Sequence, residues 1–538
     1  MAQVQITPRE WRWLAVASLA IMLATFVPYA VGWISSTPEM RYGGFLYAHE
    51  DMHSYLAKMR YGARDGWLFE LVYTSEPNRG AFVFPFHLGL GKLTALLAGH
   101  PPPVPALVVT YHTARLLFGL LALVVTYRFV AEFLVEVSQR RLAWTLATLG
   151  GGLGWLVLVL FGSGWLGSLP NEFYIPEGYT FLTLLLMPHL SLARSLLLLG
   201  WLALLRAAER GSWRLAALAG LAWLAMGVVV PFYAALIGVL LAAWLLALWL
   251  RTRQLPLREG LLAALAGALP GLTLIYNYWA FTTDPVFQTW STQNRLPSPH
   301  PLHYLFGYGL LAALAAFGLR RVWRGEERRA ALLVSWPLIV PVLVYLPINV
   351  QRRLAEGVFV PLSVLAVAGL SHLAADWPPR RKILAQVVLL ALLLPSSLVQ
   401  TVGGALSLSG PRWPVYHTPD ELAALAWLED HAAPEAIVLS SFEQGNVLPA
   451  YADVRVYGGH GPETVDSARK EEELHAFFGE EMTDQKRLSL LAASGARYVF
   501  VGPAEMAYCD DSLCFDPGTL GLRPLYTAGD YTIYEVAP

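Results

Sequence analysis

The sequence predicts a polytopic α-helical membrane protein with about eleven spans and a C-terminal extracytoplasmic α/β domain. Three observations carry this reading. Of 538 residues, 56% are hydrophobic and only 14% are charged, against roughly 25% charged in soluble domains. Several apolar runs reach the ~20 residues that cross a bilayer. Charge is also divided along the chain: residues 1–410 hold 30 Lys and Arg against 18 Asp and Glu, and residues 411–538 hold 8 against 21. The net charge of −1 thus conceals a basic membrane portion and an acidic tail. A soluble enzyme, a disordered chain and a fibrous repeat are excluded, and the balance argues against a nucleic-acid partner.

The first span, about Trp13–Ile34, follows Arg9 and Arg12. It is too long for a usual signal segment and lacks a clear small-residue cleavage site, so it reads as an uncleaved anchor. Residues 86–99 read as an interfacial helix and Val104–Val130 as the second span. Further spans fall at about 142–161, 183–205, 213–230, 232–250, 260–280, 303–319, 330–347, 357–374 and 383–406. With a cytoplasmic N-terminus, the inside loops carry Arg140/Arg141, Arg206/Arg210/Arg214, Arg251/Arg253/Arg258, Arg320/Arg321/Arg324/Arg328/Arg329 and Arg380/Arg381/Lys382. All of these clusters lie on one side, as the positive-inside rule requires. The outside receives 35–103, 163–182, 281–302, the turn 348–356 and the acidic tail, an orientation with the N-terminus in the cytoplasm and the C-terminal domain outside. The membrane domain is 1–410, the soluble domain 411–538.

In the tail, helical periodicity covers Pro419–Ala432, Ser467–Phe478 and Asp484–Ser494, and strands are expected at Ala436–Ser441, Val454–Tyr457, Arg497–Val501, Pro524–Thr527 and Thr532–Val536. Cys509 and Cys514 are the only cysteines in the chain. Outside the membrane they read as a disulfide closing a tight loop; free thiols, or a metal site with Asp510 and Asp511, are the alternatives.

Polar chemistry concentrates in the first outside loop, which holds 6 of the 18 acidic residues before the tail. It contains His49-Glu50-Asp51-Met52-His53-Ser54-Tyr55, then Tyr61-Gly62-Ala63-Arg64-Asp65-Gly66-Trp67 and Thr74-Ser75-Glu76-Pro77. Adjacent carboxylates flanked by histidines supply a general base or bind a cation such as magnesium or manganese; a solvated loop is the plainer alternative. Interleaved aromatic and charged residues suit sugar stacking, and equally an interfacial belt.

With its single span, long acidic outside loop, many further spans and α/β tail, the chain resembles the glycosyltransferase C superfamily. The likeness is to its bacterial integral membrane branch, related to protein mannosyltransferases and lipid A aminoarabinose transferases. Asp51, Tyr55-Leu56, Gly66-Trp67, Thr74-Ser75-Glu76-Pro77 and Leu90-Gly91-Lys92 are the motifs that carry it. The resemblance implies an enzyme of a bacterial plasma membrane that moves a sugar from a polyprenyl-phosphate carrier to a lipid, glycan or protein acceptor at the membrane's outer water boundary. It implies Asp51 as the base, Glu50 as second choice, and acceptor contacts from Glu76, with His53 and Tyr55 beside them.

A departing lipid phosphate gains negative charge, which guanidinium groups accept in bidentate geometry. Asn349-Val350-Gln351-Arg352-Arg353 lies in an outside turn where positive charge defies the topological bias. Gln351, Arg352 and Arg353 are therefore the expected donor-phosphate residues, with headgroup snorkelling as the alternative. Ionisable groups inside spans face a cavity or a partner: His189 is a cavity candidate, with an interhelical hydrogen bond as the alternative, while Arg115 with His112, and Arg194, read as helix-packing or lipid-headgroup residues, with a substrate role as the alternative. Trp290, Gln293 and Asn294 offer a ring face and amides to a saccharide, or cap a helix end. His460 and Glu463 follow a strand in a glycine-rich turn that would lean over the active cavity. No phosphate-cradling loop, dinucleotide fingerprint or zinc spacing is present. The rival readings are a transporter or flippase of lipid-linked saccharides and a non-catalytic envelope-binding protein.

Overall fold

The computed structural model describes residues 5–64 and 66–537; Asp65, read above with the aromatic and charged stretch, lies outside the described residues. In chain order the helices of the first half are α1 (Pro8–Ile34), α2 (His49–Arg64), α3 (Pro85–Ala98), α4 (Val104–Phe133), α5 (Val137–Leu149), α6 (Gly154–Phe161), α7 (Thr180–Leu186), α8 (Pro188–Arg210), α9 (Trp213–Val229) and α10 (Tyr233–Thr252). There follow α11 (Leu257–Thr283), α12 (Pro285–Gln293), α13 (Pro301–Trp323), α14 (Glu327–Leu343), α15 (Phe359–Leu373), α16 (Pro379–Leu393) and α17 (Pro395–Leu408). Among the described residues, seven helices are long and apolar enough to cross a membrane, taking α16 and α17 together, and α5 with α6, bent by 43°, makes eight if counted as one span. The eleven segments read from the sequence are helical over most of their length. This is a multi-pass membrane protein.

Three segments differ from expectation. Residues 142–161 are not one span but break at the glycine run. Gly152 takes a φ of +75°, and the freed backbone groups find partners elsewhere: Gly151 N–H donates to Leu393 at 2.8 Å and Leu153 N–H to Phe306 at 3.0 Å. Such external satisfaction is what permits a break at membrane depth. The acidic motif, read as loop, forms α2, and the loop 281–302 contains α12, capped by the Asp284 carboxylate on Val286 and Phe287 N–H at 2.8 and 3.2 Å.

The chain divides into two compact units. One comprises residues up to Pro28, His112–Tyr278 and Arg295–Gly404. Here small residues let helices approach: a Cβ on Gly369 of α15 would collide with the Leu314 carbonyl of α13, and one on Gly318 would meet the Gly369 backbone at 2.6 Å. Trp201, Trp223, Trp244 and Trp336 are fully buried and pack ring against ring at 5.3–6.4 Å. Arg115, also buried, donates to the Thr25 hydroxyl and the Leu184 carbonyl at 3.0 and 3.1 Å and to His112 at 3.3 Å, the helix-packing role expected of it.

The other unit comprises Tyr29–Tyr111, Trp279–Asn294 and the residues from Ala405 onward. A two-residue ladder pairs Arg41–Tyr42 with Tyr416–His417. Its five-stranded sheet consists of β1 (Ala436–Leu439), β2 (Val454–Val456), β3 (Tyr498–Val501), β4 (Leu522–Ala528) and β5 (Tyr531–Val536), ordered β2-β1-β3-β5-β4. The first three strands are parallel; β3/β5 and β5/β4 are antiparallel. Helices α18 (Pro419–His431), α19 (Phe442–Tyr451), α20 (Ser467–Phe478) and α21 (Asp484–Ser494) accompany it. Leu439, Leu474, Phe477, Phe478 and Val499 form its core. Cys509 and Cys514 are joined by a disulfide.

Helix α2 belongs to this second unit and is seated by close backbone contact. A Cβ on Gly91 of α3 would collide with the Met59 carbonyl, and one on Gly62 with the Leu88 backbone. Its basic flank pairs with the tail, Arg60 with Glu429 and Arg64 with Asp453.

Candidate active site

Asp51 lies in the first turn of α2 with its side chain 49% exposed. Facing it at 3.5 Å from Oδ1 is Nε2 of His460, only 5% exposed. His460 stands in the turn Gly458-Gly459-His460-Gly461-Pro462-Glu463-Thr464 that follows β2. Glycine is required there because a Cβ on Gly459 would collide with the Gly445 backbone of α19. The Thr464 hydroxyl accepts from the Gly459 and His460 N–H groups at 3.2 Å each and donates to the Tyr73 carbonyl at 2.8 Å. Tyr73 packs its ring 5.4 Å from the His460 ring.

Behind His460 lies a buried ion pair. Lys58 and Glu463, 2% and 3% exposed, meet at 2.6 Å. Glu463 also accepts the Ser54 hydroxyl at 2.9 Å and lies 3.7 Å from Nδ1 of His460. Positions 54 and 58 follow Asp51 at helical spacing, so α2 delivers a hydroxyl and an ammonium toward the same turn. Burial alone would raise the Glu463 pKa, but the Lys58 and His460 charges and the bonds from Lys58 and Ser54 outweigh it, holding the carboxyl below its ordinary value. The ammonium also sits over the Phe84 ring at 4.2 Å.

His53 is not a surface group. It is buried, and its Nδ1 bonds Oδ1 of Asn446 at 2.9 Å; burial, with His417 nearby, pushes its pKa down to about 3, so the ring is neutral. Asn446 also donates to the Glu50 carbonyl at 3.2 Å and thereby ties the first turn of α2 to α19. Glu76 is likewise engaged: it takes Lys470 at 2.6 Å and the Thr74 hydroxyl. Burial opposes its ionisation, but these bonds prevail and its pKa is lowered. Tyr55 stacks on His87 at 4.4 Å. Trp290 is packed among Phe84, Phe281 and Phe287. The Gln293 amide donates to the Gly461, Pro462 and Thr464 carbonyls, so it clasps the His460 turn from outside the sheet. Asn294 closes α12 through its own N–H to Trp290 at 3.0 Å.

In the membrane unit, Arg352 and Arg353 occupy a short 3-10 turn, Gln351–Ala355. Arg353 Nε is 3.3 Å from Glu177, and its guanidinium lies over Phe232 at 5.4 Å. Arg352 lies over Tyr174 at 5.1 Å, and burial lowers its pKa from the ordinary arginine value. The Gln351 amide is spent on the Val344 and Leu346 carbonyls. The turn is braced from within: Arg194 holds Glu356 through two bonds, 2.6 and 3.1 Å, and donates to the Pro176 and Glu177 carbonyls at 3.1 and 2.8 Å. Tyr233 donates to the same Glu356 at 2.6 Å. His189 lies in the first turn of α8, half-buried.

Lys58, Ser54, Asn446, Glu177 and Glu356 carry no recognisable motif; only the helical offset of 54 and 58 from Asp51 hints at two of them. As cation ligands, Asp51 and His460 are spaced near the ~3 Å expected between two donors of one ion with ~2.1 Å bonds. Among the described residues the one cluster of three His, Cys, Asp or Glu donors is Glu480 with Cys509 and Cys514, whose sulfurs are already bonded to each other. The Asp51 pair therefore fits a cation completed by substrate or water.

The sequence matches no protein-family model and no curated protein. Solved structures do match. The chain is similar to the oligosaccharyltransferase of Archaeoglobus fulgidus in complex with zinc and sulfate, at 13% identity and a TM-score of 0.59, over 96% of this chain and 73% of that one. It is similar to the arabinofuranosyltransferase AftD from mycobacteria, at 17% identity and a TM-score of 0.55, over 99% of this chain and 40% of that one. ArnT from Cupriavidus metallidurans bound to undecaprenyl phosphate matches at 16% identity and a TM-score of 0.50, over 99% of both chains. The architecture of this chain is the glycosyltransferase C fold.

Proposed function

We propose that the protein is an integral membrane glycosyltransferase that moves a sugar from a polyprenyl-phosphate carrier to a lipid, glycan or protein acceptor at the outer face of a bacterial plasma membrane. The observation that carries this is the half-exposed Asp51 carboxylate set against a buried His460–Glu463–Lys58 network, on a fold shared with three membrane transferases.

In this reading the acceptor hydroxyl attacks the anomeric carbon as Asp51 takes its proton. The bond from that carbon to the phosphate oxygen breaks, and the carrier leaves as polyprenyl phosphate carrying the electron pair. A single displacement inverts the anomeric centre. His460 is a positioning residue: its ring, held by the Thr464 turn, keeps the carboxylate from rotating away. Arg352 and Arg353 hold the leaving phosphate, with Glu177 and the Arg194–Glu356 brace fixing their turn. A divalent cation, where bound, would be held by Asp51 and His460 and would supply positive charge to the phosphate. In this reading Glu50 and Tyr55 contact the acceptor.

The test is transfer by the purified full chain from a radiolabelled polyprenyl-phosphate sugar. Asp51→Asn is expected to abolish transfer, while Glu50→Gln lowers it less. Movement of intact lipid without cleavage of its glycosyl bond would instead establish the flippase.

A further inference from the structure

Within the membrane unit, the ends of α4, α8, α13 and α14 enclose a cavity of about 530 Å³. It lies at the arginine-rich end of the unit, which the charge pattern assigns to the cytoplasm, and takes no part in the proposed reaction. Its lining is amphipathic: Phe133, Val135, Val322 and Leu333 form an apolar side, and Arg206 and Arg210 stand on the polar side.

The charges are not balanced within the cavity wall. Glu132, Glu209 and Glu326 all converge on Arg329, at 2.7, 2.5 and 3.4 Å, and Arg140 is answered by Glu10 at 2.8 Å. The guanidinium groups of Arg206 and Arg210 have no ion pair or hydrogen bond among the described residues. They lie four apart near the end of α8, on one helix face, where they repel each other; Glu132 and Glu209 attract Arg206 only from beyond ion-pair distance. A third cation is close by, since the Arg258 guanidinium lies against Gly211, which closes α8.

Two cations that could grip one phosphate, beside an apolar wall at the end of membrane helices, match a ligand with an anionic head and a hydrocarbon tail. We propose that this cavity binds the phosphate of an anionic membrane phospholipid, held between Arg206 and Arg210, with an acyl chain along Phe133 and Val135. The exposed Val135 lets the chain continue into the bilayer.

The full chain is reconstituted into nanodiscs of phosphatidylcholine doped with phosphatidylglycerol, released, and its retained lipids are measured by native mass spectrometry. Retention of phosphatidylglycerol over phosphatidylcholine is expected. Arg206→Gln and Arg210→Gln should each weaken it about fivefold and the double variant about thirtyfold, from the ~1 kcal/mol per charge that basic side chains give at anionic membranes. Both variants should keep the wild-type apparent Tm in pure phosphatidylcholine, because neither guanidinium makes an ion pair or hydrogen bond among the described residues. Arg381→Gln, on a separate basic cluster, should leave retention unchanged. Equal retention by the double variant, or no preference between the two lipids, would overturn the proposal. Displacement of the lipid by inorganic phosphate at millimolar level would overturn the assignment to a lipid, leaving a site for a soluble phosphate compound.

Discussion

Replacing Lys58 by methionine tests whether the network under Asp51 is a true buried ion pair. The substitution keeps a stem of similar length and removes the charge, which meets Glu463 and lies over the Phe84 ring. Glu463, 3% exposed, is then left as an anion with the Ser54 hydroxyl at 2.9 Å and the His460 ring at 3.7 Å. Removing one partner of a buried pair costs about 3–5 kcal/mol; because Ser54 and His460 remain, we expect about 3 kcal/mol, read as a fall of several degrees in apparent Tm in detergent. The dependence on pH has a definite sign. In the wild type the Glu463 pKa is depressed, so its contribution is present above the unfolded carboxyl value and disappears as pH falls through the folded one. In Lys58→Met burial dominates and the folded pKa rises above the unfolded value. The variant's penalty is therefore greatest near neutrality and relieved by protonation as the solution is acidified. The gap in Tm between the two proteins must narrow toward low pH. The double variant Lys58→Met/Glu463→Leu should regain most of the loss. A Tm within a degree of wild type at neutral pH, or a gap that widens on acidification, would refute this account.

Three further outcomes are expected. Glu177→Gln should loosen Arg353 and lower kcat/KM for the lipid donor roughly tenfold with little change in Tm, because orientation and not stability is lost; an unchanged kcat/KM would remove Arg353 from phosphate binding. Gly91→Ala should cost about 1–3 kcal/mol through the collision with the Met59 carbonyl, measured by thermal unfolding, and should reduce transfer with it by displacing α2. Cys509→Ser/Cys514→Ser should lower the stability of the tail by about 2 kcal/mol, the loop-entropy value for so short a ring, without altering transfer.

What the sequence revealed follows from which interactions are local. The long apolar helices and the tail elements Ser467–Phe478 and Asp484–Ser494 announce themselves through composition and period, so they are legible. Helix α2 was not, because its first turn is acidic and its buried face includes Lys58 and Arg60, polar residues that a hydrophobic pattern cannot count. The break between α5 and α6 was hidden because a glycine run in an apolar stretch fits close packing as readily as a bend. Asp51 and Arg353 stand as candidates from the resemblance and from charge bias. Their supports do not, since Lys58 and Glu463 lie 405 residues apart and Glu177 meets Arg353 only through the fold. Gln293 illustrates the same point: its amide was suited to a sugar, and the structure shows it gripping three backbone carbonyls instead.

The separation between Lys58 and Glu463 also sets an order of events during synthesis. At roughly 5–20 residues per second, a ribosome needs about 20–80 s after making Lys58 to reach its counter-ion. Throughout that interval the nascent helix carries an unanswered ammonium and a histidine lacking its Asn446 partner. Neither can enter a dry interior until the segment carrying Asn446 and Glu463 emerges, so burial of the acidic-motif helix waits on synthesis of the tail.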